Sequence, residues 1–284
     1  MEFQYPSDDE GIKTSALFRR RVGHEIEISD EGEFTDWLLT NDLAVGVHSP
    51  GCPCLGAATR PIHIVSDCTA SGNEHHVGGV NGVLYGSPAY MTALDAVAAA
   101  AKATGSSGNS RVGGHIHVSK NGMSPGEVWL TYRNAVILWD QILVLASGRW
   151  SDVRRNQHMM ANPQIPTPQG LRTDGGWGHM NIVDPISNLE AITNPGGPGS
   201  GTFNNQRGSK PTIEWRVWNT TTSKWRLYMS AGVSGAFMEA AVQRRVAEEG
   251  QDLLDHLSGL LTGDQVGLVE RQRAIVKGDF SWAA

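Results

Sequence analysis

Three short segments of this chain set chemically capable side chains two residues apart. Val22-Gly23-His24-Glu25-Ile26-Glu27-Ile28 carries a pair of carboxylates, Gly113-Gly114-His115-Ile116-His117-Val118 a pair of imidazoles, and Ile213-Glu214-Trp215-Arg216-Val217-Trp218 a carboxylate and a guanidinium. In an extended strand, residues i and i+2 point to one face. Each segment therefore reads as a strand with Glu, His or Arg in front and Ile, Val or Trp behind. Carboxylates and imidazoles grouped on rigid strands are metal ligands or acid–base groups. Carboxylates held close together repel unless cations neutralise them. Hard oxygen ligands suit Mg2+ or Mn2+, and an included imidazole tilts the choice toward Mn2+. A single alternating segment is also what any half-exposed antiparallel strand shows. Three of them, with Gly113-Gly114 beside the histidines where a ligand can approach the backbone closely, favour a site.

A second group of possible ligands lies in one stretch: His48, Cys52 and Cys54, followed by His63 and Cys68. Borderline-soft donors in this number suit a structural zinc ion. The C-x-C spacing is not the usual C-x-x-C knuckle, and buried free cysteines account for the same residues equally well.

These groups need elements to hold them. Arg21 to Ile28, Arg111 to Ser119 and Thr212 to Trp218 read as strands, with two short β-like pieces within 43–66. Thr35 to Thr40 reads as a short helix. Ser87-Pro88 opens a helix to about Thr104, since Ser caps well and Pro suits the first helical position; Gly105 ends it. Ser124-Pro125-Gly126-Glu127 has the pattern of a capping box and starts an apolar helix over about 125–147. Lys224 to Glu249 reads as a long helix, and two amphipathic helices follow. Residues 1–20 read as a tail and 21–284 as one domain, with the Cys/His loop at 48–68. The Gly-, Pro- and Asn-rich segment 150–210 shows little periodicity, and a loop of that length inside a domain is usually functional. The expected class is α+β: a curved, mostly antiparallel sheet backed by helices.

Composition narrows the partners. With 23 basic against 29 acidic residues the formal charge is −6, which argues against a bulk nucleic-acid binder held by phosphate neutralisation. The most apolar stretch, Val128 to Ala146, is interrupted by Arg133, Asn134, Asp140 and Gln141, so a buried helix is expected there and no membrane span. The acidic segment Met1 to Lys13 lacks the apolar run of a signal peptide. Three cysteines, an odd number, suit a reducing, cytoplasmic setting better than a disulfide scaffold.

The ordered set V-G-H-E-I-E, G-G-H-I-H-V-S and T-I-E-W-R-V-W-N resembles the amidoligase family, carboxylate–amine ligases with a glutamine-synthetase-like fold; the likeness spans roughly residues 20–240. It implies ATP-dependent amide-bond formation between a carboxylate and an amine substrate (an amino acid, peptide or protein), with Mg2+ or Mn2+. Carried over by position, Glu25, Glu27 and Glu214 would hold metal, and His115 would bind metal or ATP phosphate, with His117 beside it in the catalytic site. Arg216 would bind the transferred phosphoryl group. Asp67-Cys68-Thr69 resembles the family's D-G-S-like turn with Cys in place of Gly, and Glu74 would be the acid after it. Leu84-Tyr85-Gly86-Ser87-Pro88 resembles a family E-x-x-S-P stretch but lacks its Glu. Asp67 and Glu74 cap turns equally well. Arg154 and Arg155 fall where the family places phosphate- and substrate-facing residues. Arg133, on the 125–147 helix, would face ATP or pair with a structural carboxylate. A metal-dependent hydrolase without ATP, and a ligand-binding protein that kept the fold without turnover, are the competing expectations. The oligomeric state is not legible.

Overall fold

Alternation of apolar residues decides which side of each motif strand faces inward. In the computed structural model, which describes residues 20–28, 31–48, 60–66, 73–79, 82–108, 113–146, 203–205 and 212–278, the three motif segments are strands: β1 (Arg21–Ile26), β6 (Gly113–Ser119) and β8 (Thr212–Asn219). They join β2 (Ala44–His48), β3 (Ile62–Ser66), β4 (Asn73–Val77), β5 (Val83–Leu84) and β7 (Phe203–Asn205) in one open sheet. The order is β2-β3-β4-β1-β6-β8-β7, with β5 also pairing β1. β2 and β3 run parallel and every other pair antiparallel, so the sheet is mixed. The class is α+β, and β1, β6 and β8 are direct neighbours.

Behind the sheet lie α1 (Glu31–Thr40), α2 (Pro88–Thr104), α3 (Pro125–Ile137), α4 (Trp139–Ala146), α5 (Lys224–Val242), α6 (Leu253–His256) and α7 (Gly263–Gly278). Val22 and Ile26 of β1, Ile116 and Val118 of β6, and Ile213, Trp215 and Val217 of β8 are buried in the core against them. Ser87 caps α2 through Tyr90 N, and Gly105 ends it at φ 72°. The reciprocal capping box of Ser124 and Glu127 opens α3. At Gly232 of α5, an added Cβ would come within 2.5 Å of Gln265 Nε2 and 2.6 Å of Tyr85 Oη, so a larger residue there would have to displace those side chains.

The helices differ from expectation at two points. The 125–147 helix is interrupted at Leu138, and the 224–249 helix stops at Val242. There, Arg245 N bonds Ala240 O at 2.8 Å and Arg244 N bonds Ala241 O at 2.9 Å, with Arg244 at φ 58°. This closure usually recruits glycine, so no sequence signal marked it. β4, β5 and β7 were not anticipated. Among the described residues no helix is long and apolar enough to cross a membrane.

Among the buried histidines, His24, His75 and His256 are held neutral by their surroundings. His24 Nε2 is 2.7 Å from Tyr90 Oη, His75 Nε2 is 3.0 Å from Thr35 Oγ1, and His256 packs against Phe237. Burial, aided by the charge of His117, pushes His24 down to about 3. Burial likewise outweighs a backbone bond at Ile26 and takes His75 to about 4; with Arg245 it takes His256 to about 4. All three are neutral when folded at a pH where the unfolded chain, with an ordinary value of 6.5, is protonated. The stability this contributes is complete above pH 6.5 and is lost as pH falls through about 4 and about 3. Urea unfolding should therefore show a midpoint that drops steadily from about pH 7 to about pH 4.5, less steeply in His256→Leu. Equal midpoints at both ends would contradict the assignment.

Candidate metal centre

Strand register decides which polar side chains meet, because residues directly opposite in an antiparallel pair share a face. Glu25 of β1 stands opposite His76 of β4 on one side and His115 of β6 on the other. His76 in turn stands opposite His63 of β3. One line of polar residues thus crosses four strands. Glu74, two residues before His76, shares its face. On the far side, a register shift between Gly114 and Ile116 sets Glu214 of β8 opposite His117. His117 itself stands opposite Gly23, which has no side chain to block it.

The resulting cluster contains three carboxylates and three imidazoles. His115 Nδ1 is 3.1 Å from Glu25 Oε2 and 3.5 Å from Glu214 Oε1. His117 Nε2 is 3.0 Å from Glu25 Oε1. His76 Nε2 is 3.1 Å from Glu74 Oε2 and 3.9 Å from Glu25 Oε1. The side chains retain only 5% to 16% of their exposure, so the charges are largely withdrawn from water. Burial alone would raise the Glu25 carboxyl. The charge of His117, the hydrogen bond from His115 and the charge of His76 overcome it and hold Glu25 well below the ordinary carboxylate value, as an anion.

Two sets of three ligand atoms lie within 4.8 Å of one another: Glu25, His117 and Glu214, and Glu25, Glu74 and His115. At that spacing two carboxylate charges repel by roughly 3–4 kcal/mol at an effective dielectric of about 20. Such a cluster requires positive charge, from imidazolium or from a bound cation. One atom favours the cation. His117 Nδ1 makes its hydrogen bond with Thr212 Oγ1 at 3.1 Å, while the buried Nε2, close as it is to Glu25, has no hydrogen-bond partner among the described residues. A divalent ion between an imidazole nitrogen and two carboxylates fits this donor set, so the residues present suit the metal that the sequence implied.

The sequence-derived candidates divide as follows. Glu25, Glu74, His115, His117 and Glu214 come together. Glu27 belongs to neither set of ligand atoms. β1 ends at Ile26; beyond it the Glu27 carbonyl accepts from Thr220 Oγ1 at 3.0 Å, and Ile28 bridges Gly108. Glu25 and Glu27 nevertheless keep the same alternation, with Ile26 and Ile28 buried between and beyond them. Arg133 donates from Nη1 to Ala247 O at 3.0 Å and to Asn134 Oδ1 at 3.5 Å, which joins α3 to the segment after α5 and gives it a structural role. Arg216 belongs to β8, two residues past Glu214, but its side chain lies outside the described residues, as do Asp67, Arg154 and Arg155. Of the proposed zinc ligands, His63 is buried in β3, whereas Cys52, Cys54, Cys68 and the side chain of His48 lie outside the described residues. His76 was missed. Its segment, Asn-Glu-His-His-Val, breaks the alternation that marked the other strands, because His75 occupies the core side.

Comparison with known proteins adds no relative: no family model, no curated protein and no solved structure matches this chain.

If the sets are ligand sets, Glu25, common to both, dominates ion binding. Calorimetric titration with Mn2+ should show Glu25→Gln binding at least about tenfold more weakly than wild type. Glu27→Gln should stay within about threefold. Equal losses in the two variants would contradict this geometry.

Proposed function

We propose that this chain is an ATP-dependent carboxylate–amine ligase on a glutamine-synthetase-like fold with a curved catalytic sheet. The observation that carries the reading is the adjacency of β1, β6 and β8, which brings the carboxylates of Glu25 and Glu214 to the imidazoles of His115 and His117 on the polar face. That is the arrangement implied by the resemblance of the three motifs to amidoligases.

A carboxylate is a poor acyl donor because its leaving group would be an oxide. Transfer of the γ-phosphoryl group of ATP to the carboxylate oxygen releases ADP and gives an acyl phosphate. The amine nitrogen then attacks the acyl carbon, phosphate leaves, and the amine loses a proton. Mg2+ or Mn2+ in such a site would neutralise charge on the phosphate oxygens. Glu25, Glu214 and His117 would hold that cation, and His115, within 3.1 Å of Glu25 and 3.5 Å of Glu214, would fix the carboxylates in place. Arg216, on the same strand as Glu214, would present a planar donor fork to the transferred group. The buried Ile213, Trp215 and Val217 anchor that strand from behind. The substrates are a carboxylate and an amine of amino-acid, peptide or protein type, handled in the cytoplasm.

A metal-dependent hydrolase is the second reading, favoured by the imidazole in each ligand set, since His-held ions also activate water. ADP release in the presence of Mg2+ or Mn2+, screened against paired carboxylates and amines, separates the two. The ligase reading expects release only when both substrates are present. Hydrolysis of a substrate without ATP would support the other. Once a pair is known, Arg216→Lys should lower turnover by on the order of a hundredfold while leaving metal affinity nearly intact. Full turnover in that variant would remove the phosphoryl-transfer role.

A further inference from the structure

Two Asn-Gly dipeptides occur in this chain, Asn81-Gly82 and Asn121-Gly122. Both carry the same chemical potential. Glycine has no side chain to hinder its backbone nitrogen, and its dihedrals are free, so that nitrogen can reach the carboxamide of the asparagine before it. The fold decides which dipeptide reacts. Ring closure needs a glycine nitrogen without a hydrogen bond and a turn that can open locally.

Gly82 is tied down. Its nitrogen donates to Gly79 O at 3.1 Å, its carbonyl accepts from Arg21 Nη2 at 2.6 Å, and an added Cβ would lie 2.7 Å from Val22 O. Freeing that nitrogen would lift the turn off β1. Asn121-Gly122 is the opposite case. Both residues are exposed in the turn that leaves β6, Gly122 stands at φ 80°, and an added Cβ there would meet nothing within 4 Å. One backbone bond closes the turn, Met123 N to Lys120 O at 2.9 Å, and Asn121 N donates to Ser119 Oγ at 3.3 Å. Among the described residues, neither the Asn121 carboxamide nor the Gly122 nitrogen takes part in a hydrogen bond. The elements on either side are pinned independently. Ser119 O accepts from Arg20 Nη1 at 2.6 Å, and the Ser124–Glu127 capping box starts α3. The turn can therefore open without disturbing β6 or α3.

We propose that Asn121 is a self-modification site, a succinimide-forming asparagine that converts to aspartate and isoaspartate in the folded protein. The Gly122 nitrogen bonds to Asn121 Cγ, the Cγ–Nδ2 bond breaks, and the Gly122 amide proton leaves with the departing group as ammonia. Water then adds to one of the two ring carbonyls, and a proton passes to the ring nitrogen as its bond to that carbon breaks. Opening at Cγ gives aspartate. Opening at the main-chain carbonyl gives isoaspartate, which adds a methylene to the backbone between β6 and α3. Either product carries one more negative charge than the parent chain. No nucleotide or metal ion takes part, so the inference stands apart from the proposed ligase activity.

The test ages native full-length protein in mildly alkaline buffer. Isoelectric focusing, peptide mapping and enzymatic methylation of isoaspartate follow the products. An acidic species should accumulate, map to the peptide that holds Asn121 and accept methyl groups. Conversion at Asn121 should run at least about tenfold faster than at Asn81. In protein unfolded by guanidinium the two dipeptides should convert at similar rates, which assigns the difference to the fold. Asn121→Gln should abolish the acidic species over the same period, because the longer side chain would have to close a larger ring. The exposed position lets this variant fold as wild type does. Native protein that stays unmodified while the unfolded protein converts overturns the proposal. So does faster conversion at Asn81 in the native protein, or an acidic species that persists in Asn121→Gln.

Discussion

Everything distinctive in this molecule depends on one buried anion, the carboxylate of Glu25. It lies in a middle strand, with imidazoles approaching from β6 on one side and β4 on the other. Removing a carboxylate from water is costly, and an unpaired one would take up a proton instead. Here its neighbours reverse that outcome and keep it ionised. The register of three strand pairs, the absence of a side chain at Gly23 and the shift between Gly114 and Ile116 all serve to bring those neighbours within reach.

The opposite face of the same strands supplies the rigidity. Ile116, Val118, Ile213, Trp215 and Val217 are packed against the helices, so the polar residues between them have little freedom. Along β1 and β4, adjacent polar residues have opposite fates. His24 and His75 point inward and stay neutral by burial, while Glu25 and His76 point outward and form the charged cluster. The pleat of the strand, not residue type, sorts structural histidines from candidate ligands.

Much of this was legible in the sequence because period-two alternation is a direct imprint of a half-buried strand. It located β1, β6 and β8 and put Glu25, His115, His117 and Glu214 on facing surfaces. What alternation does not encode is where a strand stops or which strands lie side by side. Glu27 falls outside both ligand sets although its spacing and its half-buried position match Glu25. β4 was hidden because a buried polar residue, His75, stands where an apolar one would have revealed the pattern, and with it went His76. Arg133 shows the converse: a charged residue on an apolar helix suggested a site, yet its hydrogen bonds tie two parts of the helical layer together.

The central claim is that Glu25, His117 and Glu214 surround one divalent cation on the sheet face. Anomalous diffraction from crystals soaked in Mn2+, collected above the manganese edge, tests it most directly. The account predicts a peak at about 2.0–2.3 Å from His117 Nε2 and from carboxylate oxygens of Glu25 and Glu214. Well-ordered side chains at this position with no anomalous density between them, at a Mn2+ concentration that saturates binding in solution, would contradict it.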